Sequence, residues 1–152
     1  MINRNDLIGL CFEGYFQRDP ILAKLSKDHT EKIKKKDPKL YLERQKIDED
    51  LNKKYRFEMQ LLEYNPTSGI FIAKGKDFFG DSGLVGTINE ETIKFLKVYA
   101  GVNNLPREFN RFNTVDYQGT ISKPDSVITC GGSYQIENSI NHKGFWRLDS
   151  KP

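Results

Sequence analysis

The stretch Tyr117-Gln118-Gly119-Thr120-Ile121 places a glycine two residues from a large side chain on either side. Residues two apart in an extended strand share one face. Glycine weakens a strand, so its repeated use indicates sharp barrel coiling or the close approach of another backbone or a ligand. The same spacing returns as Phe12-x-Gly14-x-Phe16, Ala73-x-Gly75-x-Asp77, Leu84-x-Gly86-x-Ile88 and Gly132-x-Tyr134-x-Ile136. The repetition predicts a small closed antiparallel β-barrel.

Eight segments alternate between apolar and polar residues in the way that half-buried strands do. Turn-forming residues separate most of them, as in Asn65-Pro66 and Lys123-Pro124. We therefore predict a mainly β protein: an eight-stranded antiparallel up-and-down barrel, whose closure removes both sheet edges. The predicted strands are 7–16, 55–61, 70–77, 84–89, 92–99, 114–121, 126–136 and 144–149.

A helical pair is predicted between the first two strands. Asp19-Pro20 and Asp37-Pro38 each combine a good N-cap with a residue suited to the first helical position. We expect one barrel domain over residues 1–152, with 19–54 as a helical insertion that covers one barrel end as a lid. Contact with a protein partner or a second copy is the alternative use of its apolar side. The apolar stripes are Leu22, Leu25, His29 and Ile33, then Leu40, Ile47 and Leu51.

Composition excludes several classes of protein. Hydrophobic residues make up 37% and charged residues 30% of the chain, which is typical of a soluble globular domain. No apolar run approaches the roughly 20 residues of a membrane helix, and the first residues lack a signal-peptide pattern. Strand parity places Cys11 and Cys130 on opposite faces, so we expect reduced thiols. These features predict a cytoplasmic protein without a membrane span.

The net charge of +3 is mild, and its excess is local. Lys32 and the run Lys34, Lys35 and Lys36 form a basic cluster within the helical insertion. Acidic residues such as Glu31 are interleaved with it and weaken its field. We interpret the cluster as a solvated helix face, and we do not expect nucleic acid as a partner.

The order of the strand motifs resembles the avidin/lipocalin-like (calycin) superfamily, and more closely a small intracellular barrel of that kind. Phe12 stands where such families commonly have tryptophan, and Ala73 replaces a glycine. The insertion is placed like the helix pair of intracellular fatty-acid-binding proteins, whose strand motifs do not match. The resemblance implies a barrel that binds a ligand or a peptide. The motifs are Phe12-x-Gly14-x-Phe16, Ala73-x-Gly75-x-Asp77-x-x-Gly80, Phe95-x-Lys97-x-Tyr99, Tyr117-x-Gly119, Gly132-x-Tyr134 and Gly144-x-Trp146-x-Leu148.

Polar groups on the predicted inner face form the candidate site. Lys97 lies between Phe95 and Tyr99 on one face, and a buried charge requires a partner or a ligand. In the ligand-binding interpretation, Lys97 fixes a polar or anionic ligand and aromatic rings form the walls. In the alternative, Lys97 pairs with Asp77 and the tyrosine hydroxyls cap a packed core. The candidate ligand-binding residues are Asp77, Lys97, Tyr99, Tyr117, Tyr134 and Trp146.

The leading hypothesis is a non-enzymatic barrel that binds a small polar, anionic or amphipathic ligand in its interior or mouth. His29 and His142 are isolated and lack metal-ligand spacing. No phosphate loop or dinucleotide fingerprint occurs, so we assign no catalytic, metal or cofactor residue. A protein-interaction module with a filled core, using the basic helices or the loop 100–113, is one alternative. A cyclic-nucleotide sensing or sequestering barrel related to antiphage effectors is the other.

Overall fold

A computed structural model describes residues 4–100, 114–136 and 142–151. Eight strands dominate it, and three helices lie in its first third. The elements are α1 Arg4–Leu7, β1 Cys11–Arg18, α2 Pro20–Ile33, α3 Pro38–Asn52, β2 Lys54–Tyr64, β3 Ile70–Asp77, β4 Gly80–Asn89, β5 Thr92–Tyr99, β6 Thr114–Ser122, β7 Thr129–Ile136 and β8 Lys143–Ser150.

The strands form one closed up-and-down barrel, as predicted. Each strand pairs antiparallel with the next along the chain, and β1 pairs with β8 to complete the ring. Side chains on alternate positions point inward, which places Phe71 and Phe95 in the core together with the charged Lys97, and leaves Lys74 and Lys94 outside. The predicted bounds of β3 and β5 are confirmed.

Three predicted strand starts are wrong, and one of them is the seventh strand, which begins at Thr129 rather than at residue 126. The first strand was expected from residue 7, but Arg4–Leu7 is a short helix and Gly9 turns the chain with φ +78. Leu7 is fully buried, so its apolar side chain belongs to the core although it precedes the strand. The fourth strand begins at Gly80 rather than at residue 84. Phe78 and Phe79 make a tight turn there, because the pairing of Asp77 with Gly80 continues the ladder to its end.

The two predicted helix starts are confirmed. The Asp19 carboxylate accepts a hydrogen bond from the Ile21 amide at 2.8 Å, and the Asp37 carboxylate accepts one from the Leu40 amide at 3.1 Å. Each proline follows its cap at the first helical position. None of the helices that the structure describes is long and apolar enough to cross a membrane.

The predicted stripe of α2 is only partly buried. Leu25 is 59% exposed and His29 is exposed, whereas Leu22 and Ile33 are half-buried. The buried position of α2 is instead Thr30, and the Tyr41 hydroxyl of α3 donates to Glu31 at 3.1 Å. The helices therefore pack mainly on each other. The side chains of Ile47 and Leu51, and residues 101–113 of the proposed interaction loop, lie outside the described residues.

Aromatic side chains fill the barrel. Phe95 and Tyr117 stack with ring centroids 4.7 Å apart, and Phe57 meets Tyr117 at 5.7 Å. Cys130 is buried and Cys11 is half-buried, and both are free cysteines. The core is thus packed across the barrel axis by rings and aliphatic side chains.

Candidate functional site

One end of the barrel collects most of the candidate residues. Strands β1, β3, β5 and β7 end there, and the even-numbered strands begin there. We call this end the mouth. Asp77 and Tyr99 are the last residues of β3 and β5, and Lys97 lies one inward-facing position deeper along β5. The antiparallel topology therefore brings these side chains together although they are far apart in the sequence.

A buried ion pair lies beneath the mouth. Lys97 Nζ lies 2.8 Å from Asp77 Oδ2, and the two side chains are 1% and 0% exposed. Asp77 Oδ2 also accepts a hydrogen bond from the Tyr99 hydroxyl at 2.7 Å, and Oδ1 accepts one from the Phe79 amide at 2.8 Å. Three donors thus satisfy this carboxylate, which compensates for its removal from water.

Four aromatic rings surround the Lys97 ammonium. Its Nζ lies 4.6 Å from the ring centroids of Phe16 and Phe57, 4.8 Å from that of Tyr99 and 4.9 Å from that of Tyr117. Ring faces attract a cation at these distances. Burial lowers the pKa of Lys97, and the adjacent Asp77 carboxylate opposes that shift. The ammonium is held by groups of the protein itself.

The candidate tyrosines are protonated groups in a low-dielectric environment. Burial is the main reason that the pKa values of Tyr99, Tyr117 and Tyr134 are raised above their ordinary value. Tyr117 and Tyr134 stack with centroids 5.6 Å apart. Their hydroxyls can therefore donate hydrogen bonds but do not supply negative charge near neutral pH.

Trp146 lies on β8, and its side chain is hydrogen-bonded to the backbones of β6 and β7. Its indole Nε1 donates to the carbonyl oxygens of Gln118 at 3.2 Å and Ser133 at 3.1 Å. Its ring lies edge-on to Tyr117, at 5.6 Å between centroids. All six predicted site residues thus form one continuous cluster. Within the cluster, Lys97 pairs with Asp77, as the alternative interpretation of Lys97 predicts. Trp146 is hydrogen-bonded to backbone carbonyl oxygens.

A small cavity opens above this cluster at the mouth. Its volume is about 30 Å³. That space suits one or two water molecules and is well below the roughly 300 Å³ or more of a typical small-molecule pocket. Tyr99, Tyr117 and Tyr134 are the predicted site residues that line it. Its full lining is Phe16, Arg18, Tyr55, Phe79, Tyr99, Val115, Tyr117, Tyr134, Ile136 and His142.

Arg18 is the arginine of this lining, and it was not among the site residues predicted from the sequence. Arg18 is only 7% exposed and lies on the inner face of β1, in line with Phe12, Gly14 and Phe16. Its charge lowers the pKa of Tyr134 against the effect of burial, which places the two groups near each other. The signal was present, because continuing the alternation of β1 by two residues beyond Phe16 would have assigned Arg18 to the interior.

Among the residues that the structure describes, no group of three or more His, Cys, Asp or Glu side chains could hold a metal ion. Within the described ranges, the buried Ser82 hydroxyl on the inner face of β4, opposite Gly75, has no hydrogen-bond partner. The mouth combines the Arg18 guanidinium with phenol hydroxyls and aromatic walls. Together these groups suit recognition of an anion with an apolar part.

No protein-family model, curated protein or solved structure matches this chain.

Proposed function

We propose that this protein is a non-enzymatic, calycin-like barrel of the cytoplasm that binds a small amphipathic anion at its mouth. The observation that carries the proposal is Arg18, a buried arginine among the aromatic walls of the cavity. Guanidinium groups bind carboxylate and phosphate through two parallel hydrogen bonds, and burial strengthens such contacts. The closed topology and the two free cysteines support the barrel class and the reducing compartment.

The aromatic walls would hold the apolar part of the ligand. Phe16 and Tyr55 stack at 5.5 Å between centroids, and Tyr55 meets Phe79 at 4.8 Å. Rings of this kind contact hydrocarbon chains and flat ring systems equally well. Lys97 and Asp77 neutralise each other below, so in this proposal they position Tyr99 rather than contact the ligand directly.

Entry of a ligand requires a wall to move, because the cavity is water-sized. The Phe78-Phe79 turn is the best placed wall. Phe78 is 55% exposed, and Phe79 packs on the mouth side of Tyr55. Rotation of the Phe79 ring towards solvent would join the cavity to the outside without disturbing the strand ladder.

The experiment titrates the protein with sodium decanoate, with decanol as an uncharged molecule of equal length, and with cyclic AMP. Trp146 fluorescence and amide chemical shifts report binding. We expect decanoate to bind, decanol to bind weakly, and Arg18→Gln to abolish the difference. Arg147→Gln is the matched control, since that arginine is exposed on β8. Equal decanoate binding by wild type and Arg18→Gln would contradict the proposal, and selective binding of cyclic AMP would favour the nucleotide alternative.

A protein-interaction module is the second candidate, because the core is filled and the helical pair exposes apolar side chains. Ile21, Leu25 and Leu42 are 71%, 59% and 64% exposed. In this case charge reversal at Lys34, Lys35 and Lys36 would abolish binding of a partner, whereas Arg18→Gln would leave it intact.

A further inference from the structure

The outer wall of the barrel carries an apolar row where a solvated face would be polar. Ile72 pairs with Val85, and Val85 pairs with Leu96, so the three side chains lie side by side across β3, β4 and β5. They are 48%, 49% and 42% exposed. Neighbouring residues of a sheet face that are apolar and solvent-accessible mark a contact surface more often than isolated ones do.

Two further residues extend this row along a diagonal. Ile70 lies one outward-facing position before Ile72 on β3, and Val98 lies one such position after Leu96 on β5. They are 49% and 44% exposed. We call the set Ile70, Ile72, Val85, Leu96 and Val98 the apolar diagonal. It runs across three strands with Val85 at its centre.

Charged residues surround the diagonal in a symmetric pattern. Glu63 pairs with Ile72 at one end of the row, and Asp116 pairs with Leu96 at the other. Lys74 and Lys94 occupy the opposite diagonal, beside Gly83 and Thr87 of β4. In the described part of the chain, none of these four charged groups forms an ion pair.

A rotation of 180° about an axis that passes through Val85 perpendicular to the sheet maps this surface onto itself. It exchanges Lys74 with Lys94 and Glu63 with Asp116. It also exchanges the two halves of the apolar diagonal, residue for residue. Symmetric dimers use one patch on both subunits, so a patch must be complementary to itself to serve in this way.

We propose that a second copy of this chain docks on this face of β3, β4 and β5. The two-fold axis lies in the interface near Val85 and crosses the apolar diagonal at a right angle, so that the two diagonals lie against each other. Strand spacings of about 4.8 Å and rises of about 3.4 Å per residue then bring Lys94 close to Asp116 of the partner subunit. Lys74 meets the partner subunit's Glu63 by the same geometry. Both mouths stay open, so the inference is independent of the proposed ligand.

The contact is modest in size, since it involves one convex wall of each barrel. We expect it to bury less than the roughly 800 Å² per partner of a standard interface, and therefore expect association that depends on concentration. Salt should weaken it, because its charge pairs lie at the rim.

Sedimentation velocity over roughly micromolar to millimolar concentrations tests the inference. We expect a monomer–dimer equilibrium whose dissociation constant rises about tenfold or more in Val85→Lys and in Lys94→Glu. The double variant Lys94→Glu/Asp116→Lys should restore dimerisation, which a folding defect would not do. Leu25→Lys, on the exposed side of α2, is the control and should dimerise like wild type.

A monomer at every concentration would overturn the inference and leave the face to a different partner. A dimer that survives Val85→Lys but is lost in Leu25→Lys would also overturn it, by placing the contact on the helices. Failure of the charge exchange to restore a dimer lost in Lys94→Glu would contradict the proposed orientation. Trp146 fluorescence checks that each variant is folded.

Discussion

Lys97 and Asp77 form an ion pair of 2.8 Å inside the barrel, and neither side chain is more than 1% exposed. The pair joins β5 to β3, which are separated by β4 in the ring. It therefore ties strands that share no ladder hydrogen bond. The Asp77 carboxylate also accepts hydrogen bonds from the Tyr99 hydroxyl and the Phe79 amide, and so holds both groups at the mouth.

Removal of the ammonium should destabilise the fold strongly. Lys97→Met leaves Asp77 charged and buried, and loss of one member of a buried pair typically costs about 3–5 kcal/mol. Urea unfolding followed by Trp146 fluorescence measures the loss. Lys76→Met is the control, since Lys76 is exposed on the outer face of the same sheet, and we expect a change within about 0.5 kcal/mol.

The double variant Lys97→Met/Asp77→Asn separates the charge from the packing. The amide oxygen keeps an acceptor for the Phe79 amide, the NH2 group can donate to the Tyr99 hydroxyl, and the unpaired charge is removed. We expect it to be less destabilised than the sum of the single variants by about 0.5–3 kcal/mol. Simple additivity would show that the two charges do not interact.

The buried phenols should make the fold sensitive to alkali. Burial raises the pKa of Tyr99, Tyr117 and Tyr134, whereas unfolded tyrosines ionise near pH 10. Above about pH 10 the unfolded chain loses protons that the folded chain retains, so the free energy of unfolding falls as the pH rises. Below that pH the contribution is fully present. The lowered pKa of Lys97 acts in the opposite direction, because unfolded lysine binds more protons up to about pH 10.4.

Phenolate absorbance and Trp146 fluorescence, recorded together against pH, test this linkage. We expect the three phenols to ionise only with unfolding, and Tyr117→Phe to make the alkaline loss of stability shallower. Ionisation of all seven tyrosines before the fluorescence change would contradict the prediction.

Two glycines in strands should respond oppositely to alanine. A Cβ on Gly14 would collide with the Arg147 carbonyl oxygen and lie 2.9 Å from the Leu148 Cα. Backbone cannot give way like a side chain, so Gly14→Ala should cost about 1–3 kcal/mol or more. A Cβ on Gly83 meets nothing within 4 Å, and Gly83→Ala should be neutral or stabilise by about 0.5–1 kcal/mol. The urea midpoints of the two variants test this difference. A similar loss of stability in both variants would contradict the predicted clash at Gly14.

The single tryptophan should behave as a fully buried probe. Trp146 is 2% exposed and donates to two backbone carbonyls. We expect blue-shifted emission and protection from acrylamide in the folded state. Trp146→Phe should cost about 3 kcal/mol through the lost ring volume and the orphaned carbonyls. Emission typical of solvated indole in the folded protein would contradict this placement.

Most of the architecture was predictable because it depends on local rules. Alternation fixed the inner face of β3 and β5, and the caps Asp19 and Asp37 fixed both helix starts. The predicted start at residue 7 was wrong because a single buried apolar residue fits the pattern equally well in a strand or at the end of a short helix. Leu7 is such a residue.

The site was only partly predictable, because its partners are set by tertiary packing. The six predicted residues do meet, yet the sequence left open whether Lys97 would face a ligand or Asp77. Arg18 was missed because its strand was ended too early, at Phe16. His142 and Phe79 come from turns, where no periodicity indicates which way a side chain points.

Closure of the ring through β1 and β8 has a consequence for synthesis. Residues of β1 leave the ribosome before those of the other seven strands, but their second partner strand ends only at Ser150. Until then the nascent sheet presents two open edges, and the aromatic surroundings of Lys97, which include Phe16 of β1, are incomplete. Contacts so distant in sequence form slowly. A chain stalled before β8 would thus display unpaired strands and unburied rings, the features that chaperones recognise.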